Sequence, residues 1–182
     1  MEEEFAYELK IPKERVAVLI GKEGEVKKHI ESETGVTLNI DSEEGEIVIK
    51  GTDALKLYST QDVVKAIGRG FNPEFALLML KPDFTFDMID ITEYSRTKND
   101  LLRLKGRIIG AEGKSRRTIE ELTETNICVY GKTVGIIGEV SRVPSARRAI
   151  ESLLSGSPHA NVYHWLEKQR RDLKRDEIAG KN

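Results

Sequence analysis

The sequence predicts an α+β protein made of two copies of one small unit, each running strand, helix, helix, strand, strand, helix. Three observations carry that prediction. First, the chain aligns with itself: Ile20-Gly21-Lys22-Glu23-Gly24 matches Ile109-Gly110-Ala111-Glu112-Gly113, and the same offset pairs Lys27-Lys28 with Arg116-Arg117, Ile30-Glu31 with Ile119-Glu120, and Thr34 with Thr123. Second, each copy switches between twofold and helical apolar periodicity in the same order. Third, 182 residues allow two domains of roughly 100 residues or fewer, each with a modest core.

In the first copy Phe5, Tyr7, Leu9 and Ile11 alternate with polar residues, which predicts a half-buried strand ended by Pro12. A short helix follows, with Val16, Leu19 and Ile20 on one face. The Gly21–Gly24 segment breaks it, and a second helix is expected over 25–33, stopped by Gly35. Strands are expected over 36–40 and 46–50, joined by the acidic turn Asp41-Ser42-Glu43-Glu44-Gly45. From Thr52, read as an N-cap, a long helix carries Leu55, Leu57, Val63, Val64 and Ile67.

The second copy repeats that order. A strand is expected over 88–94, helices over 100–109 and 114–125, a hairpin over 127–137 around Gly131-Lys132, and a closing helix over 145–154. Past Thr34 the alignment slips, which reads as a slightly longer turn in the second copy. Between the copies, residues 73–80 form an apolar helix expected to help the domains dock, since the segment lacks Gly/Ser richness. Lys81-Pro82-Asp83 marks the boundary, giving domains 1–82, with a helical extension, and 83–182. The tail over 162–178 is a helix with Trp165 and Leu166 against Lys168, Arg170, Arg171, Lys174 and Arg175; it packs back on the second domain or serves a partner.

The formal net charge is −2 and the pI is near 6.0. Nucleic-acid binding must therefore rest on a local patch and not on the overall balance. A single cysteine excludes a disulfide framework, and 33% charged residues suit a reducing interior. No apolar run reaches membrane-span length, and the acidic start Met1-Glu2-Glu3-Glu4 is the reverse of a signal peptide's basic end. The expectation is a cytoplasmic chain with no membrane partner.

A sharp break between two helices, with glycine at both ends, leaves the first N–H groups of the second helix unpaired and outward. The helix dipole adds partial positive charge, and the missing Cβ atoms let a sugar-phosphate chain approach. Leu19, Ile20, Ile108 and Ile109 are expected to line an adjoining groove for unstacked bases. Basic residues complete each site: Lys22, Lys27 and Lys28 in the first copy; Lys105, Arg107, Lys114, Arg116 and Arg117 in the second, denser one. Glu23 and Glu112 place negative charge inside these loops and oppose the binding.

Other chemistry finds little support. Gly113-Lys114-Ser115 resembles the end of a nucleotide-binding P-loop, but Ile108 stands where the first glycine must be. His29, His159 and His164 lack zinc-site spacing, and His29 reads as a helix-surface residue. Cys128 reads as a buried inert thiol. The aromatic residues Tyr94, Tyr163, His164 and Trp165 fit packing better than base stacking. No residues combine as nucleophile, base and oxyanion site, so no enzyme, metal or cofactor is expected.

Gly106-Arg107-Ile108-Ile109-Gly110-Ala111-Glu112-Gly113 resembles the KH signature Gly-Arg-Ile-Ile-Gly-x-x-Gly, and the segment 11–24 resembles the same element with Ala17 in place of its early glycine. The resemblance covers nearly the whole chain. It implies two type I KH domains, each a three-stranded sheet covered by three helices, that bind single-stranded RNA. The layout, with an interdomain helix and a basic C-terminal helix, is similar to archaeal homologues of the ribosome-assembly factor called partner of the Nob endonuclease. That likeness implies binding to small-subunit ribosomal RNA near its 3′ end during assembly, with assembly or translation factors as further partners. Carried over by position, the RNA contacts are Ile20, Gly21, Lys22 and Gly24, then Arg107, Ile109, Gly110, Ala111, Gly113, Lys114 and Arg117. Ala111 departs from the common lysine of the loop. The alternative is a scaffold in which the first copy docks a protein and only the second reads RNA.

Overall fold

The computed structural model describes residues 4–180; the acidic start at Met1-Glu2-Glu3 lies outside the described residues. The chain divides into two compact units, one ending at Phe86 and the other starting at Asp87. Each has a three-stranded antiparallel sheet and the strand, helix, helix, strand, strand, helix order of a type I KH domain.

The first unit contains β1 (Phe5–Lys10), α1 (Lys13–Ile20), α2 (Glu25–Thr34), β2 (Thr37–Asp41), β3 (Glu46–Gly51), α3 (Ala54–Gly68) and α4 (Pro73–Ala76), which continues as a 3-10 turn over Leu77–Leu80. The strand order is β1-β3-β2. Register pairs Tyr7 with Ile49, Leu9 with Ile47, Leu38 with Ile49 and Ile40 with Ile47, so one face of the sheet is apolar. Leu38, Ile47 and Ile49 are fully buried, each stabilising the unit by about 1.5–3 kcal/mol relative to exposure. At the edge, β1 is covered less than its alternation predicts: Phe5 is 40% and Tyr7 37% exposed. The long helix starts at Asp53 and not at Thr52. Asp53 Oδ1 accepts from the N–H groups of Leu55 and Lys56, a stronger cap because both bonds go to a carboxylate. Leu55, expected inward, is 81% exposed on the first turn of α3.

The second unit takes up β4 (Phe84–Asp90), whose first three residues precede the boundary, a 3-10 turn at Ile91–Glu93, α5 (Lys98–Ile109), α6 (Lys114–Thr123), β5 (Asn126–Tyr130), β6 (Thr133–Glu139), α7 (Val143–Leu154) and α8 (His159–Ala179). Its strand order is β4-β6-β5. The first strand begins earlier than expected and ends at Asp90, whose Oδ1 accepts from the N–H and hydroxyl of Thr92 and turns the chain. Likewise α5 starts two residues early because Thr97 Oγ1 caps the Asp100 N–H.

The repeat holds further than the sequence suggests. Gly35 and Glu124 occupy the same left-handed C-cap position, with φ 70° and 56°, and β2 and β5 follow with the alignment intact. The slip falls in the hairpins, where Gly131-Lys132 makes the shorter turn, in the second copy. Glutamate in that conformation costs roughly 1–2 kcal/mol. Its carboxylate meets Arg142 at 3.0 Å, and the same guanidinium holds Glu139 and Glu177. Arg142, nearly buried, thus ties the end of α6 to the end of α8. Within the second unit α8 packs on α6 and α7, with Val162 and Leu166 in the core and Tyr94, Tyr163 and Trp165 packed against it. His164 is exposed and so is His29, whereas Cys128 is half-exposed and not buried as expected.

Candidate nucleic-acid interface

Two loops connect the paired helices, and they share one backbone conformation. Gly21, Glu23 and Gly24 have φ/ψ of 75/174°, 53/24° and 76/16°; Gly110, Glu112 and Gly113 have 72/175°, 52/28° and 75/14°. All six have positive φ, which only glycine adopts freely. The first glycine is required twice over. A Cβ on Gly21 would sit 2.8 Å from the Val26 nitrogen, and one on Gly110 2.7 Å from the Ser115 nitrogen. The second glycine meets only long basic side chains: Lys28 Cε at 3.7 Å beyond Gly24, and Arg117 Nη1 at 3.3 Å beyond Gly113. No side chain caps α2 or α6; the first backbone N–H of each helix, at Glu25 and Lys114, donates within the loop to the carbonyl oxygen of Lys22 and Ala111, and the positive end of each helix dipole lies beside that basic side chain.

The expected site residues divide by position. Lys22, Lys28, Ala111, Lys114 and Arg117 are exposed at the loops, with Glu23 and Glu112 exposed between them. Ile20, Gly21, Gly24, Lys27, Lys105, Ile109, Gly110 and Gly113 are half-buried. Leu19 and Ile108, expected in the groove wall, are instead fully buried core residues; their neighbours Ile20 and Ile109 keep the exposed edge. Lys28 Nζ donates to the carbonyl oxygen of Glu23 at 3.0 Å, inside the first loop. Arg116 pairs with Glu120 at 3.2 Å.

Arg107 also has a structural task. It is expected at the RNA surface; its Nε and Nη2 donate to the carbonyl oxygens of Leu153, in the last turn of α7, and Ser157, just past it. Arg15, one turn earlier in the aligned helix, does the same to Ile67 and Phe71 at the end of α3. The two arginines sit at non-equivalent alignment positions, so self-comparison does not reveal the shared role. A second repeated device lies at aligned positions: Glu31 accepts from the Leu38 N–H and Glu120 from the Ile127 N–H, both at 2.8 Å. Each carboxylate pins the second helix to an edge strand and fixes the loop above it.

Charge separates the units. Up to Phe86 the sequence has eleven Lys/Arg against seventeen Asp/Glu, a net −6; from Asp87 on it has eighteen against fourteen, a net +4. The near-neutral total hides a basic second unit. Among the described residues there is no cluster of metal-ligating side chains and no helix long and apolar enough to cross a membrane.

Comparison with known proteins agrees with this geometry. A KH domain model matches residues 6–67, and a model described as a eukaryotic type KH-domain (KH-domain type I), of the second PNO1 domain, matches residues 85–171. A KH domain-containing protein of Methanocaldococcus jannaschii is 52% identical over 92% of this chain and 75% of its own length. RNA-binding protein pno1 of Dictyostelium discoideum is 30% identical over 91% of this chain and 72% of its own. Among solved structures, a chain in the a/eIF2alpha-aDim2p-rRNA complex from Pyrococcus horikoshii OT3 superposes with a TM-score of 0.88 at 44% identity, covering 93% of this chain and 96% of that one.

Proposed function

The chain belongs to the PNO1/Dim2 family of KH-domain RNA-binding proteins, and from that membership we propose that it grips single-stranded RNA with its two Gly-x-x-Gly loops. The target is small-subunit ribosomal RNA near its 3′ end, during assembly of the subunit. The observation that carries this reading is the matched backbone of the two loops, each leading into a helix N-terminus that no side chain caps and whose dipole favours an anion. Phosphates lie against the glycine backbone of the loops and against Lys114 and Arg117 in the second unit, or Lys22 and Lys28 in the first. Bases lie toward Ile109 and Ile20, where apolar contact holds them unstacked. The protein acts by placing RNA and not by catalysis. The rRNA and the initiation factor named in the Pyrococcus complex support RNA and a translation factor as partners.

A second reading is favoured by charge. The first unit's net −6 and the engagement of Lys28 with its own loop suit a domain that docks a protein while the second unit reads RNA.

The test uses the second glycine of each loop, because a side chain at Gly21 or Gly110 collides with backbone. Aspartate tolerates the left-handed conformation and places a carboxylate where the phosphate sits. Gly113→Asp is expected to weaken binding to single-stranded ribosomal RNA by roughly tenfold and to flatten its salt dependence by about 0.7 for each phosphate no longer held. A folded Gly113→Asp protein that binds like wild type excludes the second loop as the site. Gly24→Asp separates the readings: a flattened salt slope supports two RNA modules, and an unchanged one supports a protein-docking first unit.

A further inference from the structure

The second unit carries a basic cleft away from its loop. Leu122 of α6 and Glu167, Arg170, Arg171 and Lys174 of α8 line it, around a cavity of about 430 Å³, within the range of small-ligand clefts. Three cations face one carboxylate. Arg170 Nε is buried and has no hydrogen-bond partner, although buried donors are nearly always satisfied. The four α8 residues recur at three- and four-residue spacing and so share one side of that helix.

The cleft lies on the other side of α6 from the strand edge. Glu120 points to β5, where it accepts from the Ile127 N–H, whereas Leu122 points to α8. Both helices run the same way from the loop. The start of α8 is tied to it through His159 Nε2, 2.8 Å from the Arg107 carbonyl oxygen, and the end of α8 reaches Arg142 beside the end of α6. Leu122 is eight residues beyond Lys114, which is about 12 Å along α6.

We propose that this α6–α8 cleft takes a phosphate-bearing nucleotide of the RNA strand that passes over the Gly110–Gly113 loop, extending the second unit's footprint beyond the loop. The proposal rests on the RNA-binding reading given above. Arg170 and Lys174 hold the phosphate, Arg171 closes the outer side, and Leu122 receives the apolar face of the sugar or base. Glu167 opposes the binding and limits it.

The test compares an RNA of roughly four nucleotides, enough for one loop, with one of roughly twelve. An Arg170→Ser/Lys174→Ser double variant is expected to leave the short RNA unaffected and to lower the salt slope on the longer RNA by about 1.4, or 0.7 for each cation removed. Glu167→Gln, which removes no packing, is expected to tighten the longer RNA alone by roughly twofold to fivefold. An unchanged slope on the longer RNA overturns the proposal and leaves the cleft to an acidic protein segment; so does an equal loss on both lengths. Gly113→Asp, run alongside, keeps the two claims apart. If it weakens both RNAs while the cleft variants weaken neither, only the cleft assignment fails. If it weakens neither, the loop reading fails.

Discussion

Arg107 donates through Nη2 to the carbonyl oxygen of Ser157 at 2.6 Å, locking the helix before the Gly110–Gly113 loop to the chain just past α7. With the Leu153 bond at 3.1 Å, one guanidinium bridges two carbonyls four residues apart at a helix end, where that of Leu153 also accepts the Gly156 N–H at 3.2 Å. Arg15 bridges the carbonyls of Ile67 and Phe71, also four apart. The loops are thus held from behind by their own domains. Arginine in the KH signature serves the scaffold here.

Arg107→Ala is therefore expected to destabilise the second unit by about 2 kcal/mol, since hydrogen bonds to charged groups contribute roughly 1.5–3 kcal/mol. Urea unfolding measures it. Arg107→Lys recovers only part, because an ammonium cannot fork to both carbonyls. A variant of unchanged stability that loses RNA affinity would return Arg107 to the RNA surface.

Much of this was legible in the sequence. The aligned pairs Glu31/Glu120 and Thr34/Thr123 make the same contacts in both units: each threonine hydroxyl donates to the carbonyl four residues back, and each glutamate takes an edge-strand N–H. Identity at matched positions reported a matched physical role. Arg15 and Arg107 were not legible, because a helix presents residues three apart on one face and the role moved by one turn. Nor was the start of α3, since Thr52 and Asp53 are both good caps and only the hydrogen bonds choose. The fate of Leu19 and Ile108 was hidden for a similar reason. Adjacent apolar residues on a short helix cannot all face the groove, and periodicity does not say which one faces the core.

Ser115 offers a stabilising change. It stands where the first copy has Val26, and its Oγ is buried with no hydrogen-bond partner. Ser115→Ala keeps the contact against Gly110 and removes an unsatisfied group, whose burial costs about 1–3 kcal/mol. The expected gain is about 1 kcal/mol, or roughly 4–8 °C in Tm for a domain of this size. Calorimetry that finds no gain, or a loss, means the hydroxyl is satisfied in solution.

Glu112 combines two costs. Its φ of 52° is left-handed, and it stands between Gly110 and Gly113, in the loop proposed to hold a phosphate. Glu112→Asn puts a residue that tolerates this conformation in its place and deletes the charge. Stability is expected to rise by about 0.5–1 kcal/mol, and affinity for single-stranded RNA several-fold at low salt. An affinity that falls would mean that Glu112 hydrogen-bonds a base edge and confers sequence preference.

The pH dependence of the first unit should carry a signature of Asp62. Burial pushes its carboxyl above the ordinary value of 3.8, and Lys65, one turn along α3, offsets only part of that. The folded state thus binds this proton more tightly than the unfolded chain. Stability then falls as pH rises from 3.8 through the raised folded value, and the penalty is complete above it. Asp62→Asn removes the ionisable group. Its stability gain should be absent below the unfolded value, grow through that window and stay constant toward neutral pH. Urea titrations of both proteins across acid to neutral pH measure the difference, and a gain independent of pH would assign the change to packing instead of to the buried charge.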